Sequence, residues 1–217
     1  MRQLFLLGDS TCAEKEADKR PETGWGMMMQ DLVGPSFTVV NLALNGRSTK
    51  SFLQEGVFEK CQQALNADDV VMIQFGHNDS KEDEERHTDP WTTYQGNLAY
   101  MAEQVIQKKA FPILLTPLCR RRFDDEGRLV QTHGEYPSAM IALAKGRGYP
   151  LLDLTKETQC LLTEQGVQGS KRLFLHLQPL EHSNYPNGVA DDTHLNEWGA
   201  YVVAKRVADL FLHLQLV

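Results

Sequence analysis

Leu4-Phe5-Leu6-Leu7-Gly8-Asp9-Ser10-Thr11 sets four large apolar side chains directly before a glycine, an acid and two hydroxyls. An apolar run this short, with no polar alternation, fits a strand covered on both faces. The polar group behind it then falls at the strand's carboxyl end, where open α/β sheets build their sites. The pattern recurs along the chain. Strand candidates lie at 3–7, 38–42, 70–75, 113–116 and 151–154. Helix candidates lie between them, near 24–32, 51–64, 91–109 and 134–147. A final stretch, 196–214, carries Trp198, Tyr201, Val202, Val207, Leu210, Phe211 and Leu214 at spacings of three and four, the stripe of an amphipathic helix. This alternation predicts one α/β domain over residues 1–217, an open sheet with right-handed crossovers. No repeat or Pro/Gly-rich linker interrupts it. The charged run 80–89 reads as a solvated loop. The stretch 164–192, with Pro179 and Pro186, reads as a long connection.

The chain has 217 residues, with 22 basic and 29 acidic side chains and a formal net charge of −7. That balance argues against a dedicated nucleic-acid binder, whose affinity comes chiefly from phosphate neutralisation. It leaves room for a local basic patch. No apolar run approaches the roughly 20 residues of a membrane span, so no membrane partner is expected. Leu4 to Leu7 is shorter than the apolar region of a secretion signal, about 7–15 residues, and an acid follows at once. A cytoplasmic location is the expectation. Four cysteines stand far apart, at 12, 61, 119 and 160, without a C-x-x-C. They read as reduced thiols rather than metal ligands or a disulfide framework.

Four polar groups follow strands or precede the last helix. They are Gly8-Asp9-Ser10-Thr11, Asn45-Gly46-Arg47-Ser48, Gly76-His77-Asn78-Asp79 and Asp191-Asp192-Thr193-His194. Converging on one sheet edge, they supply what acyl transfer needs. Ser10 is a weak nucleophile that requires a base. His194 is the candidate base, and Asp191, three residues earlier, the acid that orients its ring. Asp192 stands beside Asp191 as an alternative; spacing favours Asp191. The Ser10 N–H, the Gly46 N–H and the Asn78 amide are candidate donors to the oxyanion. Taken alone, Ser10 is a helix cap and Asn78 and Asp79 are turn residues; the four groups together favour the catalytic reading for Ser10 and Asn78. His77 and Asp79 are left with structural roles. His194 has no second histidine at ligand spacing, so no metal is expected, and acyl transfer by these groups requires no cofactor. The run also lacks the second glycine of a G-x-S-x-G elbow, Cys12 standing in its place, and no G-x-G-x-x-G or Walker sequence is present.

In order and content these groups resemble the four blocks of the SGNH (GDSL) hydrolase superfamily. The resemblance implies a three-layer α/β/α sandwich with a five-stranded parallel sheet in flavodoxin-like order. It also implies Ser10 as nucleophile, His194 as base, Asp191 as its acid, and Ser10, Gly46 and Asn78 as the oxyanion hole. With Gly24-Trp25-Gly26, Asn41, Ala43 and Thr116-Pro117-x-x-Arg120-Arg121-x-Phe123 added, the chain looks most like the rhamnogalacturonan acetylesterases, which deacetylate pectic polysaccharide. The partner so implied is an acetylated oligo- or polysaccharide. Other esterases of the superfamily (xylan or sialate O-acetylesterases, lipases, thioesterases) and a non-catalytic carbohydrate-binding module are the alternatives. Unlike fungal members, the chain shows no evident secretion signal and no expected disulfide, which suits an intracellular enzyme acting on imported oligosaccharides. Arg47, next to Gly46, and Arg120, just past a strand, are candidates to meet a galacturonate carboxylate. Trp25, Trp91 and Tyr185 are sugar-stacking candidates, although core packing is the better reading of any one.

Overall fold

The computed structural model describes residues 1–214. Its strands and α-helices run, in chain order, β1 (Arg2–Gly8), α1 (Met29–Val33), β2 (Phe37–Asn41), α2 (Thr49–Gln54), α3 (Val57–Ala64), β3 (Val70–Gln74), α4 (Gln95–Gln107), β4 (Phe111–Leu115), α5 (Tyr136–Arg147), β5 (Leu151–Leu152), α6 (Leu154–Gly169), β6 (Phe174–Leu177), β7 (Val189–Leu195) and α7 (Glu197–Leu212). The first five strands form one parallel sheet in the order β2-β1-β3-β4-β5. The chain leaves β1 toward one edge and returns to pair β3 on β1's other side. The switch point therefore lies between β1 and β3, the two strands that end in Gly8 and Gln74.

Strand alternation divides the apolar residues between two cores. Leu4, Leu6, Val70, Met72, Ile113 and Leu115 face α1, α6 and α7. Phe5, Leu7, Val71, Ile73 and Leu114 face α3, α4 and α5. Each fully buried side chain of this size contributes about 1.5–3 kcal/mol, so both faces of the sheet are strongly fixed. Pro112 sits within β4 without breaking it. Phe111 N donates to Asp69 O on the β3 side, whereas Leu114 N donates to Pro150 O on the β5 side. The N–H that Pro112 lacks thus faces a level of β4 that β5, only two residues long, does not reach.

Two regions depart from the sequence reading. The helix expected over 51–64 is two, α2 and α3, separated by a turn at Glu55 and Gly56. The connection expected over 164–192 is largely structured. Helix α6 runs into it with a break at Gly166, and β6 and β7 form a separate antiparallel ladder. β7 is half-exposed and rich in acids, so it lacks the apolar run by which strands of the main sheet declare themselves. Among the described residues no helix is long and apolar enough to cross a membrane.

Candidate active site

The turn after β1 is built to hold Ser10. The Asp9 carbonyl accepts from Cys12 N at 3.1 Å and Ala13 N at 3.0 Å, bending the chain sharply around the serine. The buried Asp9 carboxylate accepts from Thr11 N at 2.9 Å through Oδ1, and its Oδ2 lies 3.2 Å from His77 Nδ1. Burial raises the Asp9 pKa, but the His77 charge and these hydrogen bonds outweigh it, and the group titrates below the ordinary carboxylate value. Trp25 locks the turn from below: its amide donates to Thr11 O at 2.9 Å and its indole Nε1 to Gln74 Oε1 at 3.1 Å. Gly24 lets this segment approach, since a Cβ there would sit 2.0 Å from the Ala13 carbonyl oxygen.

His194 comes from the β6–β7 ladder. Leu175 pairs with Asp191, yet Phe174 pairs with Leu195. Asp192, Thr193 and His194 therefore bulge out of register, which aims the imidazole at the main sheet. His194 Nε2 lies 3.0 Å from Ser10 Oγ, and Nδ1 lies 2.7 Å from Asp191 Oδ2. Asp191 Oδ1 also accepts from Thr193 N at 2.7 Å and His194 N at 2.9 Å. Desolvation opposes its charge, but these bonds prevail and hold the carboxyl at about 2. Burial likewise disfavours a charged His194, and the bond and charge of Asp191 overcome it, so the imidazole titrates above its ordinary value.

Asp192 takes another part. Its Oδ1 meets Arg121 Nη1 at 2.7 Å and His176 Nε2 at 2.8 Å, away from His194. Arg121 is itself buried, with Nε donating to Ser170 Oγ at 3.0 Å.

The loops after β2 and β3 close the opposite side. Gly46 has φ +76 with open space where a Cβ would be, so its backbone conformation, not crowding, calls for glycine. Asn78 Nδ2 donates to Arg47 O at 3.0 Å, tying the two loops together. Asp79, left as a turn residue by the sequence reading, is fully buried. Its Oδ1 accepts from Thr49 Oγ1 at 2.6 Å, Thr49 N at 3.1 Å and Thr88 Oγ1 at 3.0 Å.

Ser10, Gly46, Asn78 and His194 open into one cleft of about 560 Å³. Arg120 is on its wall, with Nη2 donating to His77 O at 3.1 Å. Arg47 is not. Its Nη2 and Nε donate to Glu55 Oε2 at 2.7 and 3.0 Å, which turns the guanidinium into a neighbouring cavity beside Gly46. Helix α2 brings Glu55 back beside Arg47, so proximity in sequence misplaced this side chain. Trp25 is a core residue, and neither Trp91 nor Tyr185 lines the cleft. Lys15, Lys19, Lys81 and Arg86 do, and sequence reasoning missed all four. Among the described residues, the one carboxylate on that wall is Glu22, whose Oε1 pairs with Lys15 Nζ at 2.8 Å. A chain of net charge −7 thus presents a basic cleft.

Residues 6–202 match the GDSL-like lipase/acylhydrolase family, and the chain belongs to it, as an ester hydrolase. Rhamnogalacturonan acetylesterase RhgT of Bacillus subtilis (strain 168) is 44% identical over 207 residues, covering 95% of this chain and 88% of its own. Probable rhamnogalacturonan acetylesterase YesY of the same strain is 32% identical, covering 94% and 90%. Among solved structures, protein YxiM of Bacillus subtilis superimposes with a TM-score of 0.81 at 26% identity, over 99% of this chain and 56% of that one.

Proposed function

We propose that this esterase removes acetyl groups from acidic pectic carbohydrate, rhamnogalacturonan or its oligosaccharides. The observation that carries the reading is the hydrogen-bonded line Ser10–His194–Asp191 opening on a cleft rimmed by cations. The names of the two relatives support the substrate. His194 Nε2 takes the Ser10 proton as Oγ attacks the acetyl carbonyl, and Asp191 stabilises the imidazolium. The oxyanion is met by the Ser10 and Gly46 N–H groups and by the Asn78 amide, whose second hydrogen is not used by Arg47. His194 then protonates the departing sugar hydroxyl. Water, deprotonated by the same histidine, releases acetate from Ser10.

Lys81 and Arg120 have no carboxylate partner among the described residues and suit a uronate beside the acetylated position. A reducing compartment fits the four cysteines, which are all free, and favours a cytoplasmic enzyme acting on imported oligosaccharides. The reading is tested by acetate release from acetylated rhamnogalacturonan, homogalacturonan and xylan. Rhamnogalacturonan should be the best substrate, and faster release from xylan overturns the assignment. Ser10→Ala that still cleaves p-nitrophenyl acetate at the wild-type rate overturns the mechanism.

A further inference from the structure

Beside the catalytic cleft lies a second cavity of about 530 Å³ that shares Arg120 and Thr193 with it. Thr193 directly precedes the base, so the two spaces adjoin at the reacting centre. The second is within the range of small-ligand sites, about 300–1,000 Å³. Its wall is preformed. Residues 122–130 fold back on themselves, with Val130 N donating to Arg122 O at 2.7 Å and Asp124 N to Arg128 O at 2.9 Å. Beneath them, Arg121 is fixed by Asp192 and Ser170, with its guanidinium 5.6 Å from the Phe123 ring centroid.

The charges of this wall are unevenly satisfied. Asp192 is occupied by Arg121 and His176, and Asp124 by Arg128 Nε at 2.8 Å. Arg122 is exposed and has no carboxylate partner among the described residues, and Arg120 bonds only a carbonyl. A carboxylate entering here meets the exposed Arg122 guanidinium, while Val130 and Phe123 offer apolar surface to a pyranose ring. We propose that this cavity is a second sugar subsite, taking a uronate residue that lies further along the same chain than the acetylated one. The proposal rests on the pectic reading above. It gives the Arg120-Arg121-x-Phe123 pattern a purpose: Arg120 and Phe123 line the subsite and Arg121 supports it.

The test compares wild type, Arg122→Gln and the space-filling Thr132→Trp on p-nitrophenyl acetate and on acetylated rhamnogalacturonan oligosaccharides of increasing length. For Arg122→Gln, the ratio of kcat/KM on longer oligosaccharides to that on p-nitrophenyl acetate should fall by about threefold to fivefold, the scale of a partly exposed charge contact. For Thr132→Trp, which fills the cavity, it should fall in the same direction. The fall should sit in KM and grow with oligosaccharide length. Ratios equal to wild type at every length overturn the subsite while leaving the pectic reading intact. Wild-type enzyme that releases no acetate from these oligosaccharides, while cleaving p-nitrophenyl acetate, overturns both.

Discussion

Asp192 Oδ1 accepts from Arg121 Nη1 at 2.7 Å, so two adjacent carboxylates, Asp191 and Asp192, serve different masters. One orients His194, the proposed base; the other anchors the loop that carries Arg120. Their substitutions should separate accordingly. Asp191→Asn should lower kcat by about 10³–10⁴-fold, since the histidine loses its orienting anion. Asp192→Asn should keep kcat within tenfold but lower stability by more than about 1 kcal/mol, the value of an exposed pair, because the Arg121 left without its carboxylate is buried. Steady-state kinetics and thermal melts on both variants check this. Equal kinetic defects would reject the division.

The pH dependence follows from His194. The proposed mechanism needs the neutral imidazole, and Asp191 raises its pKa above 6.5. The rate, kcat/KM on p-nitrophenyl acetate, should therefore climb with pH through a midpoint above that value. In Asp191→Asn the midpoint should move downward, because the anion that favours the protonated ring is gone. A midpoint that stays in place would detach Asp191 from His194.

Arg47 and Arg120 are both near the oxyanion glycine in sequence or space, yet only Arg120 faces the cleft. Arg120→Gln should weaken kcat/KM on acidic oligosaccharides more than on p-nitrophenyl acetate. Arg47→Gln should change the two substrates alike. An equal effect of Arg120→Gln on both would leave its carbonyl bond to His77 as its whole role.

Asp79 is buried without a cation, and desolvation drives its pKa from 3.8 to about 7 against the pull of Thr49 and Thr88. A carboxyl raised in the folded state favours folding while protonated in both states, and that contribution is lost as pH rises toward 7. Asp79→Asn keeps an oxygen for Thr49 and cannot ionise. Wild type should lose stability between about pH 4 and pH 7, by at most about 4 kcal/mol from this group, and the variant should not. Chemical denaturation across that range measures the difference; parallel curves would refute it.

The central strands β1, β3 and β4 were readable because they are buried on both faces and therefore nearly all apolar. The edge strand β2 is only partly buried, but Phe37, Val39 and Val40 still mark it. Ser10, Gly46 and Asn78 were readable because they stand where such strands end. Other features depended on contacts made across the fold. The β6–β7 ladder is polar and lies outside the main sheet, so no periodicity marked it, although its motif residues Asp191 and His194 were visible. Glu55 diverts Arg47 through a helix turn that adjacency to Gly46 could not reveal. The cleft cations come from separate loops, and Lys81 and Arg86 lie in a run whose composition reads as plain solvated surface.

The ladder that carries His194 is not stitched into the five-stranded sheet that carries Ser10. Their 3.0 Å contact spans two structural units held together by side chains and a few backbone bonds, such as Thr23 N to Leu195 O. Local opening at the periphery of a fold costs less than global unfolding. Phe174 and Leu195 anchor the ladder in the core, and the bulge of Asp192, Thr193 and His194 lies between the Leu175–Asp191 and Phe174–Leu195 pairs. Loosening that bulge would disarm Ser10, the proposed nucleophile, while the hydrophobic layers stayed intact, making catalytic competence a more sensitive gauge of conformational wear than any probe of the core.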